Sequence, residues 1–268
     1  MPDPSPTSGR RTTGGSPPNR SLERGIEILR AFRPGLEVLG NGELSERTGL
    51  PKSTVSRLTQ TLVAMGMLQA ESALRAYRLA PAVLSLAHAM RSGSRILGVA
   101  APRMRVLAER ERLNVGLAAP DRDEMVYLES IRYARRVAFR TVVSGQRIPM
   151  ELTSLGRAYL ASAAEDERES LMGLFARRRR GQWAALKSEI DLAVRQVRDE
   201  GWCAAAWQPE VVAVAAPVVT RDAILVLNLS LSTTDPLETV ARRLAPKLLA
   251  LRDETLMALD RLAGERVP

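Results

Sequence analysis

The sequence predicts an α+β chain of two domains: a small winged helix-turn-helix, then a larger α/β domain built on one mostly antiparallel sheet. Three observations carry this. Two helical patterns flank the turn formers Gly49 and Pro51. Two short strand-like segments follow at once. Beyond residue 94 the segments run β-β-β-α-α-α-β-β-α, an order that calls for a central sheet with helices packed on it. A chain of 268 residues is long enough for two cores, and its 45% hydrophobic content is that of an ordinary globular protein.

The elements follow in order. Residues 1–19 are rich in Pro, Ser, Gly and Thr and lack an apolar core, so they read as a disordered tail and not as a secretory signal. The first domain is expected over 20–81. Leu22, Ile26, Leu29 and Phe32 recur at helical spacing, with Ser21 as N-cap and Pro34-Gly35 as the stop. A short helix at 42–48 ends at Gly49. Pro51 fits the first turn of the next helix, on which Val55, Leu58 and Leu62 face inward. Gly66 closes that helix. Strands at 67–70 and 76–79, joined by the loop 71–75, form a wing with Arg75 near its tip.

A linker helix is expected over 82–93, and the second domain over 94–268. Its helix at 98–112 is followed by strands at 115–119, 124–129 and 136–142, the first two joined by the turn Asp121-Arg122-Asp123. Helices at 153–163, 166–176 and 182–200 come next. The last of these carries an apolar face of Leu186, Ile190, Ala193, Val194 and Val197. Strands at 211–219 and 223–230 and a helix at 236–262 complete the chain.

The chemistry of the first domain points to nucleic acid. A helix entering the major groove needs short hydroxyl side chains in its first turn and a long cation one turn later. Ser53, Thr54 and Arg57 supply these, with Lys52 and Ser56 beside them and Arg75 on the wing. Ser53 and Thr54 would also serve as an ordinary helix cap, but the turn, the basic neighbours and the wing favour the DNA reading. Net charge is +9. Residues 1–91 hold 12 basic and 7 acidic side chains, and residues 92–268 hold 27 and 23, so positive charge is densest around the helix-turn-helix.

Other classes are excluded or disfavoured. His88 is the only histidine and lies in the linker pattern, and no HExxH, GxSxG or Walker sequence occurs, so a small-molecule enzyme is not expected. Cys203 is the only cysteine, which rules out an internal disulfide and a cysteine-rich metal site. No cofactor is expected. No apolar run approaches the roughly 18 residues of a membrane span, which suggests a cytoplasmic protein with no membrane partner. Arg177-Arg178-Arg179-Arg180 reads as a solvated loop, with phosphate binding as the alternative. A non-specific architectural DNA binder would need no second domain of this size.

Taken together, Ser21–Leu29, the segment Glu43–Thr54 followed by Arg57-Leu58, and Tyr77-Arg78-Leu79 resemble the DNA-binding half of the IclR family of bacterial transcription regulators. The resemblance covers about residues 20–262. It implies that the second domain is a GAF-like or profilin-like effector-binding domain. Gly145–Met150 with Thr153–Ala161 resembles the segment where a loop enters a helix over the pocket. Val214–Val218 and Leu229–Ser232 resemble two pocket strands. Members bind a small organic acid, so the resemblance makes Ser154, Leu155 and Gly156 backbone donors, Ser230 and Ser232 hydroxyl donors, and Met150 an apolar wall. By residue pattern alone the two serines suit a half-buried strand equally well. The resemblance also implies a homodimer or homotetramer on a palindromic double-stranded operator.

The chain departs from the family between Gly201-Trp202 and the next strand. The stretch Cys203–Glu210 is about two residues shorter, an acidic position is alanine, a glycine is replaced by Glu210, and no cysteine stands near Ala213. Trp207 falls at the pocket edge. This more apolar pocket suits an aromatic or longer apolar acid better than glyoxylate. Thr-Ser-Leu-Gly-Arg at 153–157 likewise resembles members that govern aromatic-acid breakdown.

Overall fold

The structure is a computed structural model that describes residues 19–133 and 143–264. Most of the expected tail, and the strand expected at 136–142, lie outside the described residues. The chain divides into two compact units, Met1–Val83 and Leu84–Pro268.

The first unit contains α1 (Arg20–Ala31), β1 (Leu39–Gly40), α2 (Asn41–Thr48), α3 (Lys52–Ala64), β2 (Leu68–Glu71) and β3 (Ala76–Leu79). The strands form an antiparallel sheet in the order β1-β3-β2. Ile28, Leu39, Leu44, Val55 and Leu68 make the centre of the core, each at most 2% exposed. Two expectations need correction. The N-cap of α1 is Asn19, whose side-chain oxygen accepts from the N–H groups of Ser21 and Leu22 at 3.1 Å, so Ser21 lies inside the helix. Asparagine caps as well as serine, and the earlier start adds helical bonds. The buried face of α1 is Gly25, Ile28, Ala31 and Phe32. Leu22 and Ile26 are 63% and 45% exposed, because α1 carries two apolar stripes and only one meets this core.

Helix α4 (Pro81–Gly93) contains the division between the units. The second unit holds α5 (Arg95–Glu111), β4 (Asn114–Asp121), β5 (Glu124–Ile131), β6 (Arg147–Pro149), α6 (Ser154–Ser162), α7 (Glu165–Arg178), α8 (Trp183–Glu200), β7 (Cys203–Gln208), β8 (Val211–Val219), β9 (Ile224–Ser232) and α9 (Leu237–Gly264). Among the described residues its six strands lie in the order β6-β5-β4-β9-β8-β7, every pair antiparallel.

Strand alternation sorts the side chains between two layers. Val212, Val214, Ala216 and Val218 of β8 and Leu225, Leu227 and Leu229 of β9 pack with α5 and α9. Ala215 and Val226 point the other way, into a core with Leu155, Ala158, Ile190 and Phe175 from α6, α8 and α7. Strand β7 was not expected. Its sequence, Cys-Ala-Ala-Ala-Trp-Gln, has little intrinsic strand preference, and it owes its form to pairing with β8. Among the described residues no helix is long and apolar enough to cross a membrane.

Candidate functional site

The turn between α2 and α3 is fixed by its own side chains. Gly49 takes the left-handed conformation (φ 70°) that stops α2. The Ser45 hydroxyl donates to the Leu50 carbonyl at 2.6 Å. The Thr48 hydroxyl donates to the Leu44 carbonyl at 2.6 Å and accepts from the Leu50 N–H at 3.3 Å. Pro51 is the N-cap of α3, one position earlier than expected, with φ −57° where its ring is unstrained.

Val55 and Thr59 turn α3 onto the core, so the opposite face is open. Lys52, Ser53 and Arg57 are exposed, and Thr54 and Ser56 are half-buried. No side chain caps α3, so the hydroxyls of Ser53 and Thr54 are not consumed at its start. The first-turn N–H groups therefore face outward with the positive end of the helix dipole. Arg75 stands exposed at the wing tip with φ 50°. Among the described residues Lys52, Arg57 and Arg75 have no carboxylate partner, whereas Arg78 Nε lies 2.8 Å from Glu71.

The second constellation surrounds the start of α6. Thr153 caps this helix by accepting from the Gly156 N–H at 3.2 Å, and its hydroxyl donates to the Pro149 carbonyl at 2.9 Å. The Gly156 N–H is thus engaged, and the amides of Ser154 and Leu155 are the ones helix geometry leaves over. Gly156 has a packing role instead: a Cβ there would lie 2.1 Å from Met150 Cα. Met150, Ser154 and Leu155 are at most 2% exposed. The Ser154 carbonyl accepts from Cys203 Sγ at 3.5 Å, which sets α6 above the β7 side of the sheet. Burial pushes the Cys203 thiol up to about 12.

Strand register places the remaining candidates. Asn114, Ser230, Ala213 and Ala205 form one cross-strand row over β4, β9, β8 and β7. Gly116, Asn228, Ala215 and Cys203 form the next row of the same face. Ser230 is half-buried, and Ser232 is exposed at the end of β9. Tyr127 of β5 lies beside Gly116, and burial raises its hydroxyl to about 12 against the opposing hydrogen bond from Asn228.

Three features were not foreseen from sequence. The first is the pair Asn114 and Asn228. The second is Gly116, where a Cβ would come within 2.4 Å of both Asn228 Oδ1 and Tyr127 Cε1. The third is Glu151, fully buried next to Met150, with Arg179 Nε donating to it at 3.0 Å and Arg178 3.8 Å away. Arg178 also pairs with Asp123. The arginine run is therefore no free loop: two of its members tie the end of α7 to the loop before α6. Only the run of like charges was visible in the sequence, not its carboxylate partners.

Residues 21–72 match the IclR helix-turn-helix domain, and residues 87–253 match the domain described as bacterial transcriptional regulator IclR C-terminal. The chain belongs to the IclR family of bacterial transcriptional regulators. It is a DNA-binding regulator by that membership. It is 35% identical over 185 residues to the HTH-type transcriptional regulator TsaQ1/TsaQ2 of Comamonas testosteroni, covering 68% of this chain and 66% of that one. Among solved structures, an IclR-family regulator from Brucella abortus is 36% identical with a TM-score of 0.79, over 89% of this chain and 91% of the other. An IclR homologue from Microbacterium hydrocarbonoxydans, complexed with 4-hydroxybenzoate, shares the fold at 20% identity and a TM-score of 0.66, over 89% and 99% of the two chains. Glu210 holds φ 56° in the β7–β8 turn, a left-handed conformation that glycine adopts without strain.

Proposed function

We propose that this IclR-family chain binds a palindromic operator through α3 and its wing, and that a small organic acid in the C-terminal unit controls that binding. The open first turn of α3 carries the DNA reading. It offers Lys52, Ser53, Thr54, Ser56 and Arg57 on one side of a helix whose other side is packed, and Arg75 reaches out from the wing. The cations supply phosphate or guanine contacts, and the short hydroxyl residues let the helix approach closely.

The acid reading rests on the Ser154 and Leu155 amides above a sheet face floored by Ser230, Ala213, Ala205 and Asn114, with Met150 as the wall and Ser232 at the rim. Nothing in the two rows of that floor is larger than asparagine, so a ring or a short chain lying there would meet only small side chains. The 4-hydroxybenzoate held by the Microbacterium homologue indicates that this fold admits an aromatic acid. A homodimer accounts for two unpartnered apolar stripes: Leu22 and Ile26 on α1, and Leu84, Leu86 and Met90 on α4, which are 53–73% exposed. A protein confined to the cytoplasm suits this role.

The test uses a duplex selected from random-sequence DNA by the wild-type protein. Arg57→Ala should abolish its retention while the thermal transition of the C-terminal unit stays in place. An unchanged footprint in that variant overturns the assignment of α3. A thermal-shift screen of aromatic and aliphatic carboxylates tests the pocket, since a ligand of the folded state must raise the melting temperature.

A further inference from the structure

Resting on that acid-sensing reading, we propose that the pocket ends in a polar notch built for a hydroxyl group, so that the effector is a hydroxylated carboxylic acid. The notch lies where β4 and β9 pair. It is a cavity of about 30 Å³ bordered by the polar side chains of Asn114, Tyr127, Ser130, Arg132, Asn228 and Ser230, with Val115 and Gly116 between them. Asn114 and Asn228 both border it, and among the described residues their buried side-chain oxygens have no hydrogen-bond partner. Asn228 as a whole is only 4% exposed. Buried amide oxygens without a donor are costly and rare, and two sharing one cavity mark a place where a donor belongs.

The pair is held in place. Register sets Asn114 opposite Ser230 and Gly116 opposite Asn228. The Asn228 side chain also bonds the Tyr127 hydroxyl, and its oxygen rests on Gly116, where any Cβ would collide with it. The amide is therefore fixed with its oxygen against Gly116, a residue that borders the notch.

Volume and polarity then select the guest. About 30 Å³ admits one oxygen-sized group, not a ring. A carboxylate has no hydrogen to offer two amide oxygens, and a methyl group leaves both unpaired. A hydroxyl donates to one of them and can accept from Arg132, the cation on the border. Ser230 belongs to the notch and to the acid-binding floor, so one ligand reaches both, its carboxylate at the start of α6 and its hydroxyl between the asparagines.

Isothermal titration of the full chain with matched acids decides the matter. The probes are benzoate with the three monohydroxybenzoates, and butanoate with its 3- and 4-hydroxy derivatives. At least one hydroxy acid should bind roughly tenfold or more tightly than its parent. Asn228→Ala should narrow that gap to about twofold, read as the ratio of hydroxy acid to parent acid within the variant. Asn114→Ala, at a half-buried position, gives the same readout should the first variant fold poorly. If acids bind with no preference for the hydroxyl, or the preference survives both substitutions, the notch holds only water and this proposal falls while the acid pocket stands. If no acid of either series binds, the acid reading falls and takes the notch with it.

Discussion

Replacing Gly156 by alanine should destabilise the C-terminal unit by about 1–3 kcal/mol, the usual cost of forcing a methyl group into a filled core. The added Cβ would sit 2.1 Å from Met150 Cα, 2.2 Å from its carbonyl oxygen and 2.4 Å from its carbonyl carbon. Carbon atoms rest about 3.5–4.0 Å apart, so the two backbones must separate by roughly 1.5 Å. No flexible side chain can absorb this, because all three obstructing atoms are backbone and Met150 is fully buried. Alanine is the better helix former by up to about 1 kcal/mol, and the predicted loss is net of that gain. For a unit of this size the melting temperature should fall by roughly 3–10 °C in calorimetry. Gly98 of α5 is the control: it is exposed, a Cβ there meets nothing within 4 Å, and Gly98→Ala should hold or raise the transition. If Gly156→Ala melts within about 1 °C of the wild type, or both variants fall alike, the close approach between α6 and the loop before it is not what the glycine serves. The same separation moves the Ser154 and Leu155 amides, so the melting shift given by a bound acid should shrink in Gly156→Ala and not in Gly98→Ala.

Lys52→Ala and Arg75→Ala should weaken DNA binding across sequences alike and flatten the plot of log affinity against log salt by about 0.9 per lost phosphate contact; an unchanged slope in fluorescence anisotropy would assign that residue elsewhere. Glu210→Gly should stabilise the β7–β8 hairpin by about 0.5–1 kcal/mol, since a non-glycine residue is strained at φ 56°, and a thermal melt showing a loss would mean that Glu210 makes a compensating contact. The Cys203 thiol, pushed up to about 12 by complete burial, stays protonated far above the ordinary thiol range near 8.5. At pH 8 a thiol reagent should leave the native protein unlabelled and titrate one thiol in denaturant. Rapid labelling of the folded chain would place Cys203 at the surface.

The helix-turn-helix was legible because local chemistry dictates it. Gly49 and Pro51 punctuate the chain, Val55 marks the inward face of α3, and the exposed cations are simply the remaining positions. The sandwich of helices about a sheet was legible for the same reason, from strands such as Val211–Val219 whose apolar content needs no context. Register was not legible. Nothing in the sequence says that Asn114 stands opposite Ser230, 116 residues later, or that Gly116 makes room for the Asn228 amide. The apolar stripe of α1 misled because helical spacing shows that a face exists, not which of two faces meets this core.

Strand β7 and the Asn114, Gly116 and Asn228 part of the proposed pocket floor gave no sequence signal for one shared reason, and it bears on how such a site can exist. A strand packed for stability puts large aliphatic side chains on its buried face, as β8 and β9 do toward α5 and α9. On the opposite face the two rows read Asn114, Ser230, Ala213, Ala205 and Gly116, Asn228, Ala215, Cys203. None of these fills the layer, and alanine, glycine and asparagine are poor strand formers. Pattern recognition fails on such a stretch because the residues that make room for a ligand are the ones that weaken the strand signal. The stability forgone on that side is offset from the other, where Leu117, Val214, Leu227 and Leu229 are fully buried against α5 and α9. The small-residue rows are thus free to be shaped around a guest, while larger side chains around them, Val226, Leu155 and Phe175 among them, hold that layer together.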